Sequence, residues 1–351
     1  MTVVTFGEIM LRLGPSGHER LLQSAALSAS FGGAEANVAV SLAHWGLDSV
    51  FVTRVPAHAV GDAALRALRA EGVRTELVLR GGSRLGIYFA EAGASQRPST
   101  VVYDRAGSSV SEIAADAVDW PRVLSGARWF HLTGVTPALG PNVARCAEAA
   151  LAAARAAGAT VSVDLNYRRT LWSEADARAT MRPLMKHVDL VIASEEDLQS
   201  ALGLEVPGVD VGAGHLDPES YRDVAARVSR ELGPRRVAVT LRESVSASDN
   251  GWSALLWDQA ESALLTGQRY DVRVVDRIGA GDAFGRPHLR VGDGPAAGGG
   301  AAVCRGGRGA QAHDSGRLQP RERRGGGPAG RRGRLGTGAA MSASASRIGR
   351  S

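Results

Sequence analysis

Short apolar segments alternate along the first 284 residues with segments in which apolar positions recur at helical spacing. The apolar segments include "TVVTF", "SVFVTRV", "ATVSVDL" and "DLVIAS", and they are rich in valine and isoleucine. Between them lie segments such as "GDAALRALRAEGV" and "PESYRDVAARVSRELG", whose period is helical. Continuous apolar strands are typical of parallel sheets that helices cover on both faces. The pattern therefore predicts a three-layer α/β/α architecture.

Residues 84–105 interrupt this alternation with the sequence "RLGIYFAEAGASQRPSTVVYDR". Two segments with period-2 alternation flank a polar connection, which is the pattern of a β-hairpin. We expect this hairpin to form part of a small β lid that projects from the main sheet.

Composition limits the class of protein. The chain has 351 residues, of which 44% are hydrophobic, enough for a large buried core. Its two cysteines, Cys146 and Cys304, have neither disulfide nor zinc-ligand spacing. The N-terminus lacks a basic and apolar leader, and no window approaches the ~18 apolar residues of a membrane span. These features predict a globular cytoplasmic protein without a membrane partner.

Charge divides the chain after Phe284. Residues 285–351 contain 13 arginines, 3 acidic residues and 18 of the 44 glycines. Their net charge is +10, so residues 1–284 carry −5 of the total of +5. The C-terminal segment also lacks apolar periodicity, which is typical of disorder. We therefore expect a folded body at 1–284 and a Gly/Arg/Ala-rich segment at 285–351.

The sharpest candidate for chemistry is the segment "DRIGAGDAF", residues 276–284. Gly279, Ala280 and Gly281 would leave backbone N–H groups open at a helix N-terminus, where an anion can bind. Asp282 would then accept the proton of an attacking hydroxyl during phosphoryl transfer. The alternative is an ordinary glycine-rich turn with an aspartate near the helix N-cap.

Ligands of open α/β sheets bind beyond the carboxyl ends of the strands, where further polar segments lie. In "FGGAEANVAV", Gly33 permits close backbone approach and Asn37 can bind substrate hydroxyls; a tight turn into a helix is the alternative. In "VDLNYRR", Arg168 can hold a carboxylate through a bidentate contact or form an internal ion pair. Tyr88, Tyr103 and Arg105 lie on the hairpin, either as substrate contacts or as exposed hairpin residues.

Other polar clusters give weaker indications. The segment "SEED", residues 194–197, can organise metal-bound water near phosphates, but acidic residues at a helix start more often interact with the helix dipole. His44, His58 and His131 lack metal-ligand spacing, which favours structural roles. Neither a Walker P-loop nor G-x-G-x-x-G follows the first strand, which argues against two common nucleotide-binding folds.

The order of "GGAEANVAVSLAHWG", "VDLNYR", "SEED", "VAVTLRES" and "DRIGAGDAF" closely resembles the ribokinase-like, or PfkB, carbohydrate kinases over residues 1–284. The resemblance implies transfer of the γ-phosphate of ATP, accompanied by Mg²⁺, to a sugar hydroxyl. It implies that Asp282 is the base and that 279–281 form the anion hole. The residues it implies at the nucleotide are Ser194, Thr240, Arg242, Gly279 and Gly281. Asp197, which replaces the glutamate of the family's Asn-x-x-Glu pattern, is implied near the metal.

Within this family, "YDRAGSS" and "DLNYRRTLW" look most like the 2-keto-3-deoxygluconate kinases. That resemblance implies phosphorylation of a small sugar acid at its 6-hydroxyl. The residues it implies around the sugar are Gly33, Asn37, Tyr88, Tyr103, Arg105, Asn166 and Arg168. Fructokinase is the alternative, because related sugar kinases share the scaffold and the catalytic turn. A homo-oligomer that completes the lid is compatible with this interpretation.

In the family, the anion-hole turn opens a long apolar helix, but Gly285, Pro287 and the residues up to 300 are poor helix formers. Permitted codons for "GRPHLRV", "QAHDSGRLQ" and "QPRERRGG", read one base later, give three family-like segments in a single frame. We therefore hypothesise a frameshift after Phe284, which would impair activity. Nucleic-acid binding through the Arg/Gly segment is an alternative of another class. Few aromatic residues accompany the arginines, so no specific nucleic-acid partner is expected.

Overall fold

A computed structural model describes residues 1–93, 95–205, 218–244, 249–273, 276, 278–279 and 282. The expected C-terminal segment at 285–351, the frameshift hypothesis and Cys304 concern residues outside this part of the chain. Ala280 and Gly281 of the predicted anion hole also lie outside it.

The central sheet of the described residues contains nine strands. In spatial order they are β14 (Ala263–Thr266), β13 (Asp249–Asp258), β12 (Arg236–Ser244), β11 (Leu190–Ala193), β10 (Thr160–Asp164), β9 (Trp129–Thr133), β1 (Thr2–Phe6) and β4 (Asp48–Val52), and β15 (Tyr270–Arg273) also pairs with β13. Neighbouring strands from β4 to β12 are parallel. Strand β13 pairs antiparallel with β12, β14 and β15. The prediction of a mostly parallel sheet is confirmed.

Seven α-helices accompany the sheet in the described residues. They are α1 (Ala34–His44), α2 (Ala59–Ala70), α3 (Trp120–Val123), α4 (Pro141–Ala156), α5 (Glu174–Leu184), α6 (Glu195–Leu202) and α7 (Pro218–Leu232), with 3₁₀ turns at Pro137–Leu139 and Met185–His187. Among these residues, no helix is long and apolar enough to cross a membrane.

Alternate residues of the inner strands pack into two different hydrophobic cores. In β9, Trp129 joins Val3 and Leu42 on one face of the sheet, whereas Phe130 joins Leu151 on the other. Period-2 alternation sends successive side chains to opposite faces, so a strand that is apolar throughout must be covered on both sides. The three-layer α/β/α prediction is therefore confirmed.

A second sheet forms the lid. Its strands, in spatial order, are β3 (Ser28–Gly32), β2 (Met10–Gly14), β7 (Gly86–Glu91) and β8 (Thr100–Asp104). The predicted hairpin is the β7–β8 pair, in which Tyr88 lies opposite Tyr103. Sequence analysis missed β2 and β3, because "MLRLG" and "SASFG" are too short to display a clear period. Two further strands, β5 (Arg54–Val55) and β6 (Leu79–Arg80), form a separate small pair.

His131 lies in the middle of β9 and is fully enclosed. Its Nδ1 is 2.8 Å from Ser162 Oγ, which also accepts a hydrogen bond from Trp129 Nε1. Its Nε2 is buried and has no hydrogen-bond partner among the residues that the structure describes. Burial lowers the pKa of His131 to about 4. This histidine is therefore neutral in the folded protein, consistent with the predicted structural role.

We expect His131 to make the protein sensitive to acid. Since the unfolded chain binds a proton near pH 6.5 and the folded chain only near pH 4, stability is lost as the pH falls between these values. Relative to His131→Asn, the wild type should lose ~2 kcal/mol more unfolding free energy between pH 8 and pH 5. Urea unfolding measures this difference. His18 is exposed, so His18→Asn controls for the loss of a histidine that is not buried. If the unfolding free energies of the wild type and His131→Asn changed with pH in parallel, the expectation would be contradicted.

Candidate active site

One cavity of about 820 Å³ lies between the lid and the carboxyl ends of the parallel strands. Every predicted site residue that the structure describes lines it: Gly33, Asn37, Tyr88, Tyr103, Arg105, Asn166, Arg168, Ser194, Asp197, Thr240, Arg242, Gly279 and Asp282. These residues come from segments up to about 250 positions apart, and the fold brings them together because parallel strands end at the same edge of the sheet.

The lid contributes two tyrosines and an arginine. The rings of Tyr88 and Tyr103 are 5.9 Å apart, and the guanidinium carbon of Arg105 lies 5.4 Å from the Tyr103 ring centre. Tyr88 is buried, which raises the pKa of its hydroxyl. Tyr103 is 45% exposed. The lid thus presents a deep, neutral aromatic group and a more accessible one to the cavity.

Arg105 is held by a buried acid that sequence analysis missed. Its Nη2 donates to Glu8 Oε2, and Ser108 Oγ donates to Glu8 Oε1 at 2.8 Å. Glu8 is only 2% exposed. Its position directly beyond β1 was the available signal, because that is where ligand-binding residues of such sheets lie. The positive charge of Arg105 is therefore largely compensated within the protein.

Gly33 and Asn37 lie at the start of α1, as expected from "GGAEAN". A Cβ on Gly33 would lie 1.9 Å from the Glu8 carbonyl oxygen, so this position requires glycine. Asn37 Nδ2 donates a hydrogen bond to Asp282 Oδ2 at 2.7 Å, across 245 positions of sequence. The predicted sugar-binding segment and the predicted base are therefore in direct contact.

Asp282 is buried, and burial raises the pKa of its carboxyl group. The hydrogen bond from Asn37 and the charge of Arg168 oppose this shift. The turn that precedes Asp282 includes Gly279, whose φ of +85° is a conformation that glycine adopts readily. Just before Gly279, Ile278 N donates a hydrogen bond to Asp276 Oδ1 at 3.1 Å. A carboxylate with a raised pKa is suited to accept a proton from a hydroxyl.

Three carboxyl groups share the surroundings of Arg168. The pKa of Asp164 is well above its usual value, mainly because the carboxyl group is buried. The negative charges of Asp197 and Asp282 raise this pKa further, whereas the positive charge of Arg168 lowers it. Asn166 has φ 37°, and its N–H donates to Asp164 Oδ1 at 3.1 Å. Within the described residues, the Arg168 side chain makes no hydrogen bond or ion pair. The alternative of an internal ion pair therefore has no partner among these residues.

The "SEED" segment begins α6 with a capping box. Asp197 Oδ2 accepts hydrogen bonds from Ser194 N at 2.7 Å and Ser194 Oγ at 2.6 Å, and Oδ1 accepts from Tyr167 N at 2.7 Å. Burial raises the pKa of Asp197. The acidic residues therefore lie in the first turn of α6, where the helix dipole favours them, and Ser194 and Asp197 also cap the helix, which sequence analysis did not anticipate. Among the described residues, no group of three or more His, Cys, Asp or Glu side chains is arranged to hold a metal ion.

Thr240 and Arg242, which the family resemblance placed at the nucleotide, both lie within β12. Strand β12 extends to Ser244 because it pairs with β13 along its whole length. Thr240 Oγ1 donates to the Ala193 carbonyl at 3.4 Å, and both Thr240 and Arg242 face the cavity. Strand β12 therefore brings both side chains to the cavity, where sequence analysis expected them.

The chain belongs to the pfkB family of carbohydrate kinases, which residues 2–285 match. It is 32% identical over 284 residues to a 2-dehydro-3-deoxygalactonokinase of Haloferax volcanii, covering 80% of this chain and 81% of that protein. It is 29% identical over 288 residues to a fructokinase of Klebsiella pneumoniae, covering 79% and 80%.

A solved structure is also similar to this chain. The 2-dehydro-3-deoxygluconokinase of Thermotoga maritima is 47% identical, with a TM-score of 0.79 over 83% of this chain and 87% of that one. The suggested PfkB resemblance is therefore confirmed, and sugar kinases named for 2-dehydro-3-deoxy sugar acids are among the relatives.

We expect Asn37→Ala to shift the pH dependence of turnover. Because the Asn37 hydrogen bond favours the ionised form of Asp282, its loss should raise the pKa of that base. The acid limb of the kcat profile should then move to higher pH. Steady-state rates from pH 5 to 9 test this, with Gln199→Ala as a neutral control at the cavity rim. An unchanged midpoint in Asn37→Ala would show that the bond does not tune the base.

Proposed function

We propose that this sugar kinase transfers the γ-phosphate of ATP to the 6-hydroxyl of 2-keto-3-deoxygluconate, also called 2-dehydro-3-deoxygluconate. The observation that carries the proposal is the guanidinium of Arg168, which lines the cavity and makes no hydrogen bond or ion pair with the residues that the structure describes. A planar guanidinium can donate two parallel hydrogen bonds to a carboxylate, which a neutral sugar lacks.

Arg168 is a better carboxylate ligand than Arg105. The charge of Arg105 is already compensated by buried Glu8, so a second carboxylate there would lack a full positive partner. Among the described residues, Arg168 makes no direct ion pair and has the longer-range attraction of Asp164, Asp197 and Asp282. Tyr88, Tyr103 and Asn37 then remain available for the hydroxyl groups and carbon skeleton of the sugar.

These residues support a phosphoryl transfer step in which the new bond to phosphorus replaces the bond that breaks. The sugar hydroxyl passes its proton to Asp282, and its oxygen forms a bond to the γ-phosphorus of ATP. The bond between that phosphorus and the β,γ-bridging oxygen breaks, and its electron pair leaves with ADP. Asn37 orients the carboxyl group of Asp282 at 2.7 Å. The backbone N–H groups from Gly279 onward are proposed to receive the charge of the phosphoryl group.

Mg²⁺ is proposed to accompany ATP. Mg²⁺ usually keeps several waters and binds substrate phosphates with one or two carboxylates. The raised pKa values of Asp164 and Asp197 mark buried carboxyl groups whose ionised forms a nearby cation would stabilise, so the residues fit this ion. Since Asp197 already caps α6, it is proposed to reach the ion through water. The ion would supply neutralisation of phosphate charge.

The proposal is tested by ATP-dependent phosphorylation of 2-keto-3-deoxygluconate and fructose, measured side by side. Three proteins are compared: the chain with its present sequence, a variant with the shifted-frame sequence after Phe284, and an Asp282→Ala variant of whichever of these two proteins is active. We expect the sugar acid to be preferred and Asp282→Ala to lose ~10³-fold in kcat. Preference for fructose would favour the fructokinase alternative. Activity confined to the shifted-frame variant would support the frameshift hypothesis.

We expect Arg168→Gln to remove selectivity for the sugar acid. Loss of a charge-assisted bidentate contact should lower kcat/KM for 2-keto-3-deoxygluconate by about 100-fold, with a much smaller effect on fructose. The adjacent Arg169 is 79% exposed and pairs with Glu196, so Arg169→Gln is a matched control that should keep wild-type kinetics. Equal losses for the acid and the neutral sugar would assign Arg168 to another role.

A further inference from the structure

Glu35 is a buried carboxyl group that the transfer step does not use. It lies in the first turn of α1, two positions before Asn37, and is 1% exposed. Its Oε1 accepts hydrogen bonds from Thr133 N at 2.9 Å, Thr133 Oγ1 at 2.8 Å and Thr136 Oγ1 at 2.6 Å. One carboxylate oxygen thus joins the start of α1 to the loop that follows β9.

The same carboxyl group packs against the end of β1. A Cβ on Gly7 would lie 2.0 Å from Glu35 Oε2 and 2.2 Å from Cδ, so any side chain at Gly7 would displace the carboxyl group. Thr5 Oγ1 also donates to the Glu35 carbonyl at 3.3 Å. The ends of β1 and β9 therefore both contact this single residue.

The start of α1 lacks the side-chain cap that fixes the N-terminus of many helices. Its N-cap is Gly33, which makes no side-chain capping hydrogen bond. A capping serine or aspartate cannot replace it, because a Cβ there would meet the Glu8 carbonyl at 1.9 Å. Contacts from within the first turn must therefore fix the helix, and the contacts of Glu35 are the most buried of these.

We propose that Glu35 is a positioning residue for the sugar, fastening the start of α1 to the ends of β1 and β9 and thereby setting Asn37 beside Asp282. The inference rests on the proposed function, since Asn37 is assigned to the sugar there. All three donors converge on Oε1, so the anchor requires an acceptor oxygen and not a negative charge. Burial raises the pKa of Glu35 to about 7, so both protonation states occur near neutral pH.

The test uses the full chain and the variants Glu35→Ala, Glu35→Gln and Gly7→Ala. Glu35→Ala and Gly7→Ala should raise KM for the sugar acid about tenfold or more and leave KM for ATP within about twofold. Glu35→Gln retains an acceptor oxygen and should stay within about threefold of the wild type. An equal rise in KM for both substrates, or a Glu35→Gln variant as impaired as Glu35→Ala, would overturn the proposal.

The double variant Gly7→Ala/Glu35→Ala provides a sharper test. Removal of the Glu35 side chain empties the space that a Cβ on Gly7 would enter, so the second substitution should add little to the first. We expect the double variant to have the sugar KM of Glu35→Ala alone. Effects that simply multiply would show that the two residues act independently and would also overturn the proposal.

Hydrogen–deuterium exchange separates this inference from the proposed substrate. Peptides covering residues 28–44 should exchange faster in Glu35→Ala and in Gly7→Ala than in the wild type. The double variant should exchange no faster than Glu35→Ala alone. Peptides from α4 should keep the exchange rate of the wild type. If the chain phosphorylated no sugar acid, the substrate proposal would fail, and exchange would still decide the anchoring. If residues 28–44 of Glu35→Ala exchanged at the wild-type rate, the proposed anchoring of α1 by Glu35 would be excluded.

Discussion

The hydrogen bond from Asn37 to Asp282 depends on both ends of the folded body. Asn37 belongs to the first helix, and Asp282 lies 245 positions later. Because the bond is 2.7 Å long, small displacements of either backbone would break it. The sheet, the start of α1 and the turn at Gly279 must therefore be positioned together before the site exists. This requirement explains why several close backbone contacts converge on the ends of β1, β9 and β10.

Burial of acidic groups is the main energetic cost of this arrangement. Glu8, Glu35, Asp164 and Asp282 are all at most 9% exposed, and isolated carboxylates in such surroundings are unfavourable. Each receives a specific compensation: Arg105 and Ser108 for Glu8, Thr133 and Thr136 for Glu35, the Asn166 N–H for Asp164, and Asn37 for Asp282. The partners come from different parts of the fold: Arg105 and Ser108 follow lid strand β8, Asn37 lies in α1, and the threonines lie at and beyond the end of β9. The main sheet, the lid and α1 must therefore assemble before these acids are compensated.

Local patterns in the sequence predicted the layers and part of the cavity, whereas other cavity residues, such as Thr240 and Arg242, were indicated by the family resemblance alone. Valine-rich strands and helical periods imply the covered sheet, and the glycine turns at Gly33 and Gly279 precede polar groups at the expected edge. Glu8 and Glu35 were missed because an acidic residue near a glycine turn carries no local sign that it is buried. Their roles depend on partners about 100 positions away, which local spacing does not reveal. Strands β2 and β3 are too short to show a clear period, and their strand character depends on pairing: β2 pairs with the distant β7, and β3 pairs with β2.

The acidic surroundings of the cavity are compatible with an anionic substrate because of Arg168. Its charge favours the ionised forms of Asp164, Asp197 and Asp282 in the free protein. If a sugar carboxylate binds Arg168 as proposed, part of this attraction is neutralised, and the pKa of Asp282 must rise further. A base with a higher pKa accepts the hydroxyl proton more readily. Substrate binding would thus strengthen the base at the time it is needed, whereas fructose, without a carboxylate, would leave the pKa of Asp282 closer to its value in the free protein.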